Sequence, residues 1–171
     1  MFEQILSRAH EVSKVVPDRS KERVFLQFLS EVGELSEEIN IAMGESKKSP
    51  GADGVIGEAA DVLNCLADLC YVSCDGSAEE LVAQISELEI LDFESSEIEL
   101  FVAREMFFDA LIDMDILLSS IKKPMNGHSA EVVSNFMESC LFLAKASDPE
   151  LTADGFLKIY DAKCKKWLES V

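Results

Sequence analysis

The chain has 171 residues, nearly half of them apolar, which suffices for one domain with its own core and is too apolar for a disordered chain. Acidic residues number 33 against 15 basic ones, a formal charge of -18. That balance excludes loose binding to nucleic-acid backbones or anionic membranes, which need basic patches, and suits a protein that recruits cations. Five cysteines (Cys65, Cys70, Cys74, Cys140 and Cys164) are odd in number and lack the spacing of a small disulfide scaffold. Most fall in apolar runs, so they read as small hydrophobes in a reducing cytoplasm. No signal peptide is recognisable and no apolar run reaches membrane-spanning length, so a soluble cytoplasmic protein is expected.

The pattern is helical almost throughout. Phe2, Ile5, Leu6, Ala9 and Val12 recur at helical spacing, and Pro17 closes that segment. Asp18 and Ser20 are caps for a second helix, which runs through Val24, Phe28, Val32, Leu35 and Ile39 to about residue 43 and stops at Gly44. A polar loop over 45–54 holds Lys47, Lys48 and Pro50, and a third helix is predicted over 55–72. Gly76 breaks it, and Ser77 with Glu80 forms a capping box for a fourth helix ending near residue 91.

Ser96 with Glu99 forms another capping box, for one long helix through Phe101, Phe107, Leu111, Met114 and Leu117 to Ile121. A loop over 122–128 contains Lys122, Lys123, Pro124 and Gly127. Helices over about 129–146 and 155–169 follow, with Asp148 and Pro149 marking the last start. No alternating strand pattern occurs, so the fold class is all-α, a single domain over 1–171. A motif-bearing half (about 1–75) and a degenerate second half (about 77–171) share a rhythm that fits a worn tandem duplication. In it Lys47-Lys48 parallels Lys122-Lys123, Glu58 and Asp61 parallel Glu131 and Ser134, and Asp113 falls where Glu34 stands.

Two acid pairs stand out. Glu31 and Glu34 lie three apart, so they share one helix face, and Glu38 extends that stripe by a turn. Gly33, costly inside a helix, would admit a neighbouring helix or ligand. Glu58 and Asp61 repeat the spacing in a helix that is otherwise apolar, with Asn64 one turn on. Acids inside a core-facing stretch are the informative oddity. A helical hairpin closed by a loop of about ten residues brings both pairs together. Four such carboxylates repel one another and stay ionised together only around a cation. All-oxygen ligation selects a hard ion, Mg²⁺ above all, with Mn²⁺ as a substitute. Glu37, Glu79, Glu80, Glu87 and Glu89 read instead as ordinary solvated acids. Phe101, Phe107, Phe108 and Trp167 could stack a base but at helical spacing read rather as core, and His10 and His128 have no constellation around them.

Glu31-x-x-Glu34, 23 residues, then Glu58-x-x-Asp61 resembles the arrangement of the MazG-like and dimeric dUTPase-like pyrophosphohydrolases, over roughly residues 20–72. The resemblance implies an all-α, MazG-like helical bundle, a homo-oligomer and most simply a dimer. It implies Mg²⁺-dependent cleavage of nucleoside triphosphates to the monophosphate and pyrophosphate. Carried over, Glu31, Glu34, Glu58 and Asp61 hold the metal. Glu34 or Glu38 takes the proton of the attacking water, and Asn64 contacts sugar or phosphate. Some family members end in Tyr-x-x-Lys-Asn-x-x-Asn. Tyr160 and Lys163 match that run but both Asn positions differ, so dUTP specificity does not carry over. Lys163, with Lys47 and Lys48, remains a candidate phosphate ligand. The alternative is a catalytically silent acidic helical binding protein, a DNA mimic or an interaction module, with its acids spread over an exposed face.

Overall fold

The computed structural model describes residues 1–16, 19–74, 78–89, 92–120 and 127–169, apart from the side chains at 118, 120, 127 and 128. Every element among them is helical: α1 (Phe2–Ser13), α2 (Lys21–Ala42), α3 (Gly54–Ser73), α4 (Ala78–Glu87), α5 (Leu100–Ile112), α6 (Met114–Ser120), α7 (Gly127–Ser147) and α8 (Ala153–Glu169). The roles expected of Pro17, Asp18, Gly76, Ser77, Lys122, Lys123 and Pro124 lie outside the described residues.

Local signals explain most boundaries. The Ser20 hydroxyl accepts the Arg23 N–H at the start of α2. Gly44, at φ 74°, makes the left-handed turn that ends it, and Gly54, at φ 57°, turns the chain into α3. Thr152 Oγ1 accepts the Gly155 N–H at the start of α8, so the helix opens at Thr152 rather than at Asp148. Two expectations fail. Glu99 is the cap of α5 without a side-chain hydrogen bond, and the Ser96 hydroxyl is turned back onto the Asp92 carbonyl, so the second capping box does not form. The long helix expected there breaks at Asp113 into α5 and α6.

Helix α3 is the hub. It packs against α2, α7, α1 and α8, while α5 and α6 pack on α7, and α4 on both α1 and α7. Its apolar residues Ala59, Ala60, Val62, Leu63, Leu66 and Leu69 are fully or almost fully buried. The other half of the core centres on Phe136 of α7. Its ring meets Phe28 of α2 edge-on at 5.5 Å and Phe107 of α5 at 5.4 Å, tying three helices together. Helix α5 also carries apolar residues on its outer surface, Phe101 (52 % exposed) and Phe108 (43 %), contrary to the core position expected of them. Trp167 is half-buried beneath the Arg19 guanidinium. Among the described residues no helix is long and apolar enough to cross a membrane.

Two substitutions probe this packing. Phe136→Ala should lower stability by about 3–5 kcal/mol, because it removes the ring shared by three helices; urea unfolding reads the loss. Gly33 is exposed, and a Cβ placed there meets nothing within 4 Å, so the close approach expected at this glycine does not occur. Gly33→Ala should therefore raise stability by about 1 kcal/mol in the same assay.

Candidate functional site

The short loop over residues 43–53 folds α2 and α3 into a hairpin, which brings the two acid pairs to one side of the seam between them. A carboxylate oxygen from each of Glu31, Glu34 and Glu58 lies within 4.8 Å of the others. Glu31 and Glu58 are half-buried, and Glu34 is exposed. The Gln27 side-chain amide, one turn before Glu31, donates to its Oε1 and fixes that carboxylate.

The fourth expected member is handled differently. Asp61 Oδ2 is ion-paired with Lys163 of α8, whose Nζ also donates to Asp53 Oδ2 at 2.9 Å. Asp61 therefore adjoins the three glutamates but is tied to a lysine instead of sharing their convergence. Asp53 occupies the cap position of α3 yet caps nothing, because its carboxylate is drawn across to Lys163. Gly57 makes that possible: a Cβ there would stand 2.6 Å from Asp53 Cβ.

The remaining candidates scatter. Glu38 is buried and accepts the Gly51 N–H at 2.8 Å, so it clamps the α2–α3 loop and does not join the cluster. Asn64 lies buried in the α3–α8 seam, where its Oδ1 accepts from the Cys164 thiol at 3.5 Å, away from any open surface for a sugar. Lys48 pairs with Glu37 on the surface, and Lys47 is exposed on the loop. Tyr160 is fully buried and donates to the Ile5 carbonyl at 3.1 Å, so it is a core residue rather than a ligand contact. Of the three lysines named from the sequence, Lys163 alone reaches the acids.

Sequence reading missed Asp53, Gln27 and a second buried pairing one turn beyond Asn64. There Asp68 accepts from both Arg19, through its Nε at 2.9 Å and its Nη2, and Ser13, whose hydroxyl lies at 2.6 Å. Asp68 carried a detectable signal. It continues the Glu58–Asp61 stripe at helical spacing in an apolar helix, just as the two recognised acids do.

The electrostatics follow from this crowding. Burial pushes the Glu58 carboxyl up to about 7, and Asp61 adds to the shift. Burial also raises Glu31, partly offset by the Gln27 hydrogen bond, and raises Asp61 in spite of Lys163. Burial works against the charge of Lys163, but its bonds to Asp61 and Asp53 prevail and raise its pKa. The arrangement is thus a half-buried carboxylate group with an excess of negative charge and one cation, Lys163, held between Asp53 and Asp61. All its donors are oxygens, a set matched to a hard divalent ion.

A carboxyl whose folded pKa is about 7 against 4.5 holds a proton that the unfolded chain has lost. Its stabilising effect is complete below pH 4.5 and disappears as pH rises through 7. In chelator-treated protein, the Tm advantage of Glu58→Gln over the natural chain should therefore grow from pH 5 to pH 8; a constant difference in thermal melts across that range would contradict the crowding. No family model, curated protein or solved structure matches the chain.

Proposed function

We propose that the chain is a divalent-metal-dependent nucleoside triphosphate pyrophosphohydrolase built on a MazG-like helical bundle, acting as a homo-oligomer. The observation that carries this reading is the convergence of Glu31, Glu34 and Glu58, drawn from the two acid motifs of a helical hairpin, within 4.8 Å of one another. Glu31 and Glu34 are neighbours by helical spacing alone; Glu58 joins them from the facing helix and adds a like charge at a half-buried place. The packing supports the duplication as well. Helix α2 pairs with α3 as α5 and α6 pair with α7, α1 lies on α3 as α4 lies on α7, and α3 meets α7 between the two sets. Helices α3 and α7 each begin on a glycine, Gly54 and Gly127. Only the first set carries the acids together with α8.

On this reading Glu31 and Glu58 would hold Mg²⁺, with Glu34 closing the group from the exposed side. When bound, the ion would supply charge neutralisation at the phosphates and a lower pKa for the attacking water. Glu34 is the better proton acceptor, because Glu38 is committed to the Gly51 N–H. Water adds to the α-phosphorus, its proton passes to the Glu34 carboxylate, and the α–β bridging P–O bond breaks to release pyrophosphate. Asp61 would complete the metal set, and Lys163 would lend its ammonium to the triphosphate in exchange for that ion pair. The second reading, a catalytically silent acidic protein, draws on the same ion pair, since Lys163 already satisfies the acid nearest the cluster.

A panel of nucleoside triphosphates with Mg²⁺, assayed for monophosphate and pyrophosphate, separates the two. Turnover with at least one member is expected, and Glu58→Gln should reduce it by 100-fold or more, on the order of the loss of one preorganised charged group, while the far-UV spectrum stays unchanged. Full Mg²⁺-dependent activity in Glu58→Gln, or none in the natural chain with any triphosphate, rejects the assignment.

A further inference from the structure

Helix α5 meets the rest of the bundle chiefly through α7, with a smaller contact to α6. Ala103, Phe107 and Ala110 form its buried side. A helix packed on one side ordinarily turns polar residues outward. Here Phe101, Phe108 and Ile112 follow one another along the outer side, at spacings of seven and four residues, with Val102 at their edge. All four are exposed, Ile112 at 75 % and Val102 at 44 %. Apolar side chains grouped on one face at such exposure add little to folding and mark a surface where something docks. Phe101 is braced in place: the Arg104 guanidinium lies 5.1 Å from its ring centroid and is itself held by Glu45 at 2.9 Å.

Charge defines the occupant. Glu105 and Asp109 lie one turn apart on this same face, Asp113 follows at the C-cap, and all three are exposed. Asp109 and Asp113 have no cationic partner among the described residues. Arg104, the only basic residue in α5 or α6, is already paired with Glu45 and Glu105. An occupant therefore has to bring apolar side chains for the row and cations for its edge. A second copy would set the same acids against themselves and add its own charge of -18, and an anionic membrane is repelled for the same reason. The row is straight, about 16 Å long at the helical rise, and repeats at helical spacing, which fits another helix lying alongside.

We propose that the outer face of α5 docks a basic amphipathic helix of a partner protein. Apolar side chains of that helix pack on Phe101, Phe108 and Ile112, and its Lys or Arg residues pair with Glu105, Asp109 and Asp113. The face belongs to an element that contributes nothing to the glutamate cluster, so the proposal does not rest on the hydrolase reading.

The test selects a phage-displayed library of random peptides of about 16 residues against the full chain. Counter-selection uses the Phe108→Ser/Ile112→Ser variant, whose substitutions fall on exposed positions. Recovered peptides are then made free and measured by fluorescence anisotropy and far-UV circular dichroism. They should be net basic, carry apolar residues every three or four positions and gain helix on binding. Phe101→Ser should weaken binding at least tenfold. Asp109→Asn/Asp113→Asn should weaken it at least fivefold at low salt, with the difference shrinking in 0.5 M NaCl. Glu58→Gln should change nothing. Four results would each overturn the proposal: no peptide retained, peptides without basic residues or induced helix, binding indifferent to Phe101→Ser, or binding indifferent to the Asn variant. So would self-association of the natural chain that Phe108→Ser/Ile112→Ser abolishes in sedimentation, which gives the face to a second copy. Binding to phosphatidylcholine vesicles lost in that same variant gives it to a lipid surface and overturns the proposal too.

Discussion

Helix α3 has to be two things at once, the central apolar element of the bundle and the carrier of Glu58, Asp61 and Asp68. Charges cannot be placed beside a core without compensation, since an ion stripped of water costs several kcal/mol unless partnered. Two cations from distant segments meet the demand. Arg19, just ahead of α2, takes Asp68 with help from Ser13 of α1, and Lys163 of α8 takes Asp61 with Asp53. Each pairing fastens a separate part of the chain to the hub. The charges on α3 therefore organise α1, the entry to α2, and α8, while the apolar faces supply most of the adhesion.

Glu58 lies between those two solutions. Among the described residues no opposite charge pairs with it directly, and burial first, then the nearby carboxylates of Asp61 and Glu34, hold its proton to about pH 7. A protein with 33 acidic residues could have scattered this charge over its surface at little cost. Three carboxyl groups held this close destabilise one another as they ionise, a cost that a bound cation would relieve. The same crowding that destabilises the free protein is what the hydrolase reading uses to capture its metal.

The helical fold was legible from apolar spacing, and Ser20 and Gly44 mark the ends of α2 because their side-chain and backbone chemistry is local. Glu31, Glu34 and Glu58 were legible for a related reason: helical periodicity fixes a face, and a short loop fixes which faces meet. What escaped was non-local. Nothing in the neighbourhood of Asp61 announces a lysine 102 residues away, so its ion pair was invisible, and so was the diversion of Asp53 from capping. Glu38 looked equivalent to Glu34 because one turn separates them; its capture by the Gly51 N–H depends on how the loop folds back. The break at Asp113 and the turned-back Ser96 were missed because tertiary packing overrode local helix signals. His10 looked isolated in sequence because its surroundings come from α3 and α4.

Lys163 follows Asp61 by 102 positions, and chain order has a consequence during synthesis. At roughly 5–20 residues per second, the ribosome releases the acidic hairpin several seconds before the segment that neutralises it. During that interval Asp53 and Asp61 stand without the ammonium that later pairs with them. Arrival of α8 then acts as a late fastening step on α3, one that the N-terminal hairpin must wait for.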